Sequence, residues 1–229
     1  MKNLTDQQII DSWKSNVKPW ISAIRDGEIE SRLAVTNQAI IDAVLSGTPK
    51  TVLDVGCGEG WLVRELSKAG VDTMGIDGVA DLIAYAQQQS DDRFETLAFE
   101  DLSNANIKQQ FDVIVANFSL LGKESVECLF GNIANLLNAE GTFIVQTIHP
   151  ISASSKSAEA RYQDGWREGS WAGFNPAFCN PAPWYFRTLT SWEKLFAEYD
   201  LTLVEQLTPQ HPQTQQPASI IFISTPVNC

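Results

Sequence analysis

Residues 52–61 read Val-Leu-Asp-Val-Gly-Cys-Gly-Glu-Gly-Trp, so glycines stand at 56, 58 and 60 between an apolar run and a helical one. Glycine permits a sharp turn and lets a ligand press against bare backbone. A helix starting directly afterwards adds N–H groups that have no partner within the helix. A second acid, Asp77, closes the segment Met74-Gly-Ile-Asp-Gly78, 23 residues after Asp54. On neighbouring strands of a parallel sheet, both acids would lie at the edge where ligands bind, and Asp77 could accept bonds from two ribose hydroxyls. It could equally cap the helix that follows it, and the two roles can coexist.

The elements that must hold these residues are legible as a rhythm. From residue 50 short apolar runs alternate with helical ones: strands at 51–55, 72–77, 94–99, 111–117 and 142–148, with helices at 59–69, 79–89 and 124–138 between them. That alternation predicts a parallel sheet covered by helices on both faces. Before it, Trp13, Val17, Trp20, Ile21 and Ile24 recur at helical spacing and predict one helix over 5–26. A second is predicted over 31–46, capped by Ser31, stopped by Gly47, and buried through Leu33, Ile40, Ile41, Val44 and Leu45. After it, residues 190–199 read as a helix, and 201–207 and 218–225 as strands around a Pro/Gln-rich, hairpin-like loop. Residues 150–187 break the rhythm and are long for a structureless loop, which marks them as functional. Eight of the chain's 22 aromatic residues fall within 162–186.

The glycine spacing is G-x-G-x-G, not the G-x-G-x-x-G of dinucleotide sites, and no G-x-x-x-x-G-K-[ST] loop occurs. Hydrophobic-hydrophobic-Asp-x-Gly-x-Gly-x-Gly with an acid after the next strand resembles the class I S-adenosylmethionine-dependent methyltransferases, over roughly residues 50–148. The resemblance implies a doubly wound α/β fold, a mainly parallel seven-stranded sheet whose last strand is antiparallel. It implies S-adenosyl-L-methionine as cofactor and S-adenosyl-L-homocysteine as product. Carried over, Gly56 and Gly58, with Asp54 and Cys57 beside them, receive the methionine moiety. Asp77 binds the ribose, Gly78 and Leu82 flank the adenine, and Phe99 and Glu100 line its edge. Ala98 stands where many relatives have an Asp, so the adenine amino group would use Glu100 or backbone alone. Asn117, Phe118 and Leu120 sit beside the reactive methyl. Arg32 is a candidate for the cofactor carboxylate, because a guanidinium matches that shape, or for a surface salt bridge.

The acceptor site is expected from parts outside this pattern. The chain divides into an N-terminal helical cap (1–48), the cofactor-binding core (49–149), an aromatic-rich lid (150–187) and a C-terminal helix with the last two strands (188–229). Trp13, Trp20, Trp166, Trp171, Trp184 and Tyr185 are candidate cover and acceptor contacts, or else local core of the insertion. Arg187 is a candidate for a polar substrate group or for an ion pair anchoring the lid. His149, at the end of the fifth core strand, is a candidate general base or a turn-capping histidine. His211 is expected to face solvent. Cys57 reads as a packing residue, and no cluster has metal-ligand spacing, so no metal is expected.

With 16 basic and 28 acidic residues, a net charge of −12 and no run of three basic residues, the chain is poorly suited to a phosphate backbone or an anionic membrane. The [DN]-P-P-[FYW] tetrapeptide of nucleic-acid amino methylation is replaced by Asn117-Phe-Ser-Leu120. A small-molecule acceptor is therefore expected, with the O, N or C atom open, and a monomer or homodimer. A non-catalytic cofactor-binding module, a tRNA or protein methyltransferase and an NAD-type oxidoreductase are the alternatives. No apolar run approaches ~18 residues, no apolar leader is seen, and the four cysteines form no C-x-x-C pair. The cytoplasm, with free thiols, is the expected compartment.

Overall fold

The computed structural model describes residues 4–102, 106–153, 162–171 and 173–227. Residues 154–161 and 172 of the expected lid, and Cys229, lie outside them. The core strands are β1 (Thr51–Val55), β2 (Asp72–Asp77), β3 (Arg93–Thr96), β4 (Phe111–Asn117), β5 (Leu137–Thr147), β8 (Leu201–Leu207) and β9 (Ile220–Pro226). They form one seven-stranded sheet in the order β3-β2-β1-β4-β5-β9-β8. Pairs from β3 to β5 are parallel, and β9 runs antiparallel to both of its neighbours. The order reverses between β1 and β4, which opens a crevice at their carboxyl ends.

Strand residues alternate between two buried faces, as helices on both sides require. Leu53, Val55, Ile114, Ala116, Phe143, Val145 and Phe222 pack under α6 (Glu124–Leu136) and α8 (Leu189–Glu198). Val52, Val113, Val115, Ile144 and Ile221 pack under α3 (Asn37–Leu45) and α4 (Trp61–Lys68). α5 (Ala80–Gln89) joins α4 through Val63, Ile83, Ala86 and Phe94.

Several expected boundaries move, each for a local reason. The helix over 5–26 is two helices, α1 (Asp6–Ser15) and α2 (Val17–Arg25). They part at Asn16, whose backbone leaves the helical region and whose side chain is wholly buried in bonds to a distant segment. The helix over 31–46 begins as a π-helical turn, Arg32–Thr36, and Ser31 is itself helical and makes no side-chain cap. Bonding from i to i+5 places an extra residue in that turn. The face that buries Ile40 and Val44 therefore does not continue back to Leu33, which is 68 % exposed. β3 ends at Thr96, and Phe99–Asp101 forms a 3₁₀ turn instead. β5 starts at Leu137, so Glu140 and Gly141 lie within the strand, opposite an irregularity in β4. The 150–187 segment carries a short helix, α7 (Pro150–Ala153), and the antiparallel pair β6 (Gly165–Arg167) and β7 (Trp184–Phe186).

Candidate active site

The glycine loop is tied to β2: the amides of Gly56 and Cys57 both donate to the Ile76 carbonyl, at 2.8 and 2.9 Å. Gly56, Gly58 and Gly60 all have φ between +59° and +82°, the left-handed region that side chains resist. Two of them are also hemmed in. A Cβ at Gly56 would lie 2.3 Å from the Ser119 Cβ, and one at Gly60 would lie 2.7 Å from the Phe94 ring. At Gly58 the nearest atom to such a Cβ is Trp20 Nε1 at 3.5 Å, so this glycine faces the space between loop and α2.

Asp77 ties the loop to the next helix. One carboxylate oxygen accepts from the Gly58 amide at 2.9 Å, the other from the Val79 amide at 2.8 Å. Burial raises its pKa, and the two amide bonds oppose that rise. Asp77 does not occupy the cap of α5: that position is Val79, whose amide Asp77 holds from two residues before it.

A cavity of about 570 Å³ opens over the carboxyl ends of the core strands. It is lined by Gly56, Cys57 and Gly58 after β1, Asp77, Gly78 and Leu82 after β2, Phe99 and Glu100 after β3, and Asn117, Phe118 and Leu120 after β4. Phe118 is itself in the left-handed region (φ +54°), held there by its amide bond to Gln146 O at 2.8 Å. A bulky residue in that conformation costs on the order of 1–3 kcal/mol, and such residues cluster at functional sites.

Arg32 enters the cavity from the π-helical turn. Its guanidinium lies 4.7 Å over the Trp61 ring and 5.9 Å from the centre of the Trp20 ring. Nε donates to Asn37 Oδ1 at 3.1 Å, and one terminal nitrogen is buried with no partner. Burial lowers its pKa to about 10, against the pull of Glu59 and Asp54. Among the described residues it is in no salt bridge, the alternative role offered for it. Asp54 does not line the cavity; it lies beneath the loop, 3 % exposed. Burial first, then Asp77, raises its carboxyl to about 8, while Arg32 pulls it down.

Residues of the N-terminal helices and the aromatic insertion meet at the cavity. Trp13, Trp20 and Trp171 form a cluster with ring centres 4.9, 5.0 and 6.4 Å apart, and Trp171 also meets Phe174 and Phe178. Asn16 pins the insertion to the α1–α2 break: Nδ2 donates to Cys179 O at 2.7 Å, and Oδ1 accepts from the Cys179 amide at 2.8 Å. Trp171 Nε1 donates to Ser12 Oγ at 3.0 Å. Trp13, Trp20, Trp171, Trp184, Tyr185 and Arg187 all line the cavity.

Other expected residues stand elsewhere or work differently. Trp166 is absent from the lining and packs edge-on against Tyr185, 5.6 Å between centres. His149 is also absent from it; burial lowers its pKa, and its Nδ1 accepts from the Ile151 amide at 3.3 Å, which is the turn-capping role. Arg187 is in no ion pair among the described residues. Its terminal nitrogens donate to Gly122 O at 2.8 Å and Lys123 O at 3.2 Å, and its guanidinium lies over Tyr185 and Trp192. His211 is not solvent-facing either: its side chain is 15 % exposed, with Nε2 3.6 Å from a Glu30 carboxylate oxygen.

Sequence reasoning missed Asp6, Ile9 and Ile10 of α1, and Thr36. Asp6 accepts from the Lys123 and Ser125 amides at 3.0 and 2.7 Å, capping α6 from over a hundred residues away. No local pattern signals such a bond. Ser119, within the quoted tetrapeptide, donates to Val55 O at 2.7 Å and fills the space beside Gly56. A second cavity, about 330 Å³, adjoins Arg32 on its outer side, where Arg25 and Arg64 are paired with Asp26 and Glu59.

The residues fit S-adenosylmethionine on the evidence of their unmet bonds. Arg32 Nη2, Thr36 Oγ1, Asn117 Oδ1 and Ser170 Oγ are buried, unpartnered, and belong to residues lining the cavity. Such atoms are costly to leave unpaired unless a ligand takes them up. Arg32 suits a carboxylate, Asp77 hydroxyls, and the bare backbone at Gly58 a close approach. Among the described residues no group of three His, Cys, Asp or Glu is placed to hold a metal ion.

A glycine loop, an acid after β2 and a crevice at the strand reversal define a class I methyltransferase sheet. The chain belongs to the methyltransferase domain family, whose model matches residues 29–206, within the S-adenosylmethionine-dependent superfamily. It is 25 % identical over 156 residues to the ubiquinone biosynthesis O-methyltransferase of Glaesserella parasuis, covering 64 % of this chain and 66 % of that one. Matches span two thirds or less of the length of the curated relatives. Among solved structures, an S-adenosylmethionine-dependent methyltransferase of Clostridium acetobutylicum aligns with TM-score 0.66 at 15 % identity, over 90 % of this chain and 96 % of that one. The 1,6-didemethyltoxoflavin-N1-methyltransferase of Burkholderia thailandensis, solved with its substrate and S-adenosylhomocysteine, aligns with TM-score 0.65 at 18 % identity, over 100 % of this chain and 93 % of that one.

Proposed function

We propose that this protein transfers a methyl group from S-adenosylmethionine to a small molecule. The observation that carries the reading is the unpaired guanidinium nitrogen of Arg32 in the same cavity as the Gly58–Asp77 edge. When bound, the cofactor supplies a methyl on a cationic sulfonium. Arg32 would hold its carboxylate, Gly56 and Gly58 its methionine backbone, Asp77 its ribose hydroxyls, and Leu82 and Phe99 its adenine. Asn117, Phe118 and Leu120 shape the wall where the methyl is presented. The helical cap and insertion exclude water, so catalysis rests on orientation and desolvation. His149, capping its own turn, takes no part in proton transfer.

A small-molecule acceptor is supported by the enclosed aromatic cover, by the −12 charge and by the small-molecule acceptor named for the Burkholderia relative. No helix among the described residues is long and apolar enough to cross a membrane, and the free thiols of Cys57, Cys128 and Cys179 suit a reducing compartment such as the cytoplasm. Incubation with methyl-tritiated S-adenosylmethionine and a cell metabolite extract tests the reading. Label should move into organic-extractable small molecules, and Arg32→Ala should slow that transfer. Label found only in polymer, or in no product at all, contradicts it.

A further inference from the structure

The π-helical turn Arg32–Thr36 leaves two of its own side chains short of partners. The Asn37 amide donates to the Arg32 carbonyl, five residues back in place of the usual four. That carbonyl is one that a threonine at 36 could ordinarily use, since Ser and Thr inside helices bond the carbonyl three or four residues back. Thr36 makes no such bond. Nor does its side chain cap α3, which begins at the next residue. Thr36 is 2 % exposed, and its Oγ1 is buried without a partner. A hydroxyl shut off from water and left unbonded is costly, so such an atom calls for a ligand.

Arg32 stands at the other end of the same turn with the same deficit. Its Nε is taken by Asn37, while Nη2 is buried and unbonded. Residues four apart on a helix are neighbours on one face, and both of these line the cavity over the strand ends. Glu59 and Asp54 pull on Arg32 from outside that cavity, and neither forms an ion pair with it among the described residues. The turn thus offers the cavity two donors, one charged and one neutral. A carboxylate has two oxygens with about four lone-pair sites, so it can accept from both at once.

We propose that Thr36 is a second cofactor-binding residue, its hydroxyl joining Arg32 in a fork for the carboxylate of the methionine moiety. The π-helical bonding is what leaves that hydroxyl free. This proposal rests on the S-adenosylmethionine reading, since it takes that cofactor as the ligand of the cavity.

The test titrates the full chain by calorimetry with S-adenosylhomocysteine and with its decarboxylated form, which lacks that one group. The wild type should prefer the carboxylate form about a hundredfold, from two charge-assisted bonds at about tenfold each. Thr36→Val keeps the shape and removes the hydroxyl. It should weaken S-adenosylhomocysteine about tenfold and change the decarboxylated form by less than about twofold. Thr36→Ser should keep wild-type affinity for both, whereas a residue that merely packs would move the two ligands together. Should Thr36→Val not fold, Thr36→Ala gives the same pair of readings, and the wild-type preference is read without any variant. Equal weakening of both ligands, unchanged S-adenosylhomocysteine binding in the folded variant, or a wild type indifferent to the carboxylate overturns the proposal. A wild type that binds neither ligand instead overturns the cofactor reading.

Discussion

Asp54 is held under electrostatic tension. It is fully buried beside Asp77 and Glu59, and one of its oxygens has no partner. Its folded pKa of about 8 lies above the ordinary carboxylate value. In the unfolded chain the group therefore releases its proton first as pH rises. Its contribution to stability is intact below about pH 4 and declines as pH climbs toward about 8. Asp54→Asn removes that decline. The free variant should melt higher than wild type at pH 8, by about 2–4 °C for each kcal/mol gained, and the difference should vanish near pH 4. Thermal melts across pH check this. Arg32 works in the opposite direction, as the cation that the ligand is expected to use. Arg32→Ala should weaken S-adenosylhomocysteine about ten- to hundredfold, the usual loss for a charge-assisted hydrogen bond. At this scale the glycines, Asp77 and Arg32 were legible because each has a short-range chemical reason for its place. Asp6, Asn16 and the bonds of Arg187 were not, because their partners lie 64 to over 160 residues away and are backbone groups that carry no sequence signal.

The elements show where periodicity succeeds and where tertiary bonds override it. The strand–helix alternation over β1 to β5 was readable because β1, β2, β4 and β5 carry buried residues on both faces, whereas in β3 only Phe94 is buried. The break at Asn16 was not, since the apolar spacing on either side continues through it. That break is the hinge on which the cover is fastened. Asn16→Ala deletes four bonds, to the carbonyl and hydroxyl oxygens of Ser12 and to both backbone groups of Cys179. It should cost about 1–3 kcal/mol of stability. It should also speed hydrogen exchange at the Cys179 amide while leaving that in β4 near its wild-type rate. The glycine loop is equally demanding. Gly60→Ala must adopt φ +82° and push into Phe94 at 2.7 Å. It should destabilise the fold and loosen α4 against α5, as read by melting and by exchange at the Val63 and Ala86 amides.

For the whole molecule, sequence composition excluded more than it identified. The −12 charge argued against polyanions, and the aromatic surplus at 162–186 pointed to a cover without naming its contents. The structure adds that α1, α2 and the insertion meet over one crevice, with Arg32 set between the Trp20 and Trp61 rings at its edge. Ligand at a hundredfold excess over its Kd should then stabilise the fold by about 2.7 kcal/mol, whereas NAD should leave melting unchanged. The most direct test is calorimetric titration of S-adenosylhomocysteine into the wild-type chain and into Asp77→Ala, with circular dichroism confirming that both are folded. One site with micromolar affinity is expected in the wild type, weakened about ten- to hundredfold in the variant. A folded wild type that binds nothing, or a folded variant that binds as tightly as wild type, would contradict the assignment of this edge to the cofactor.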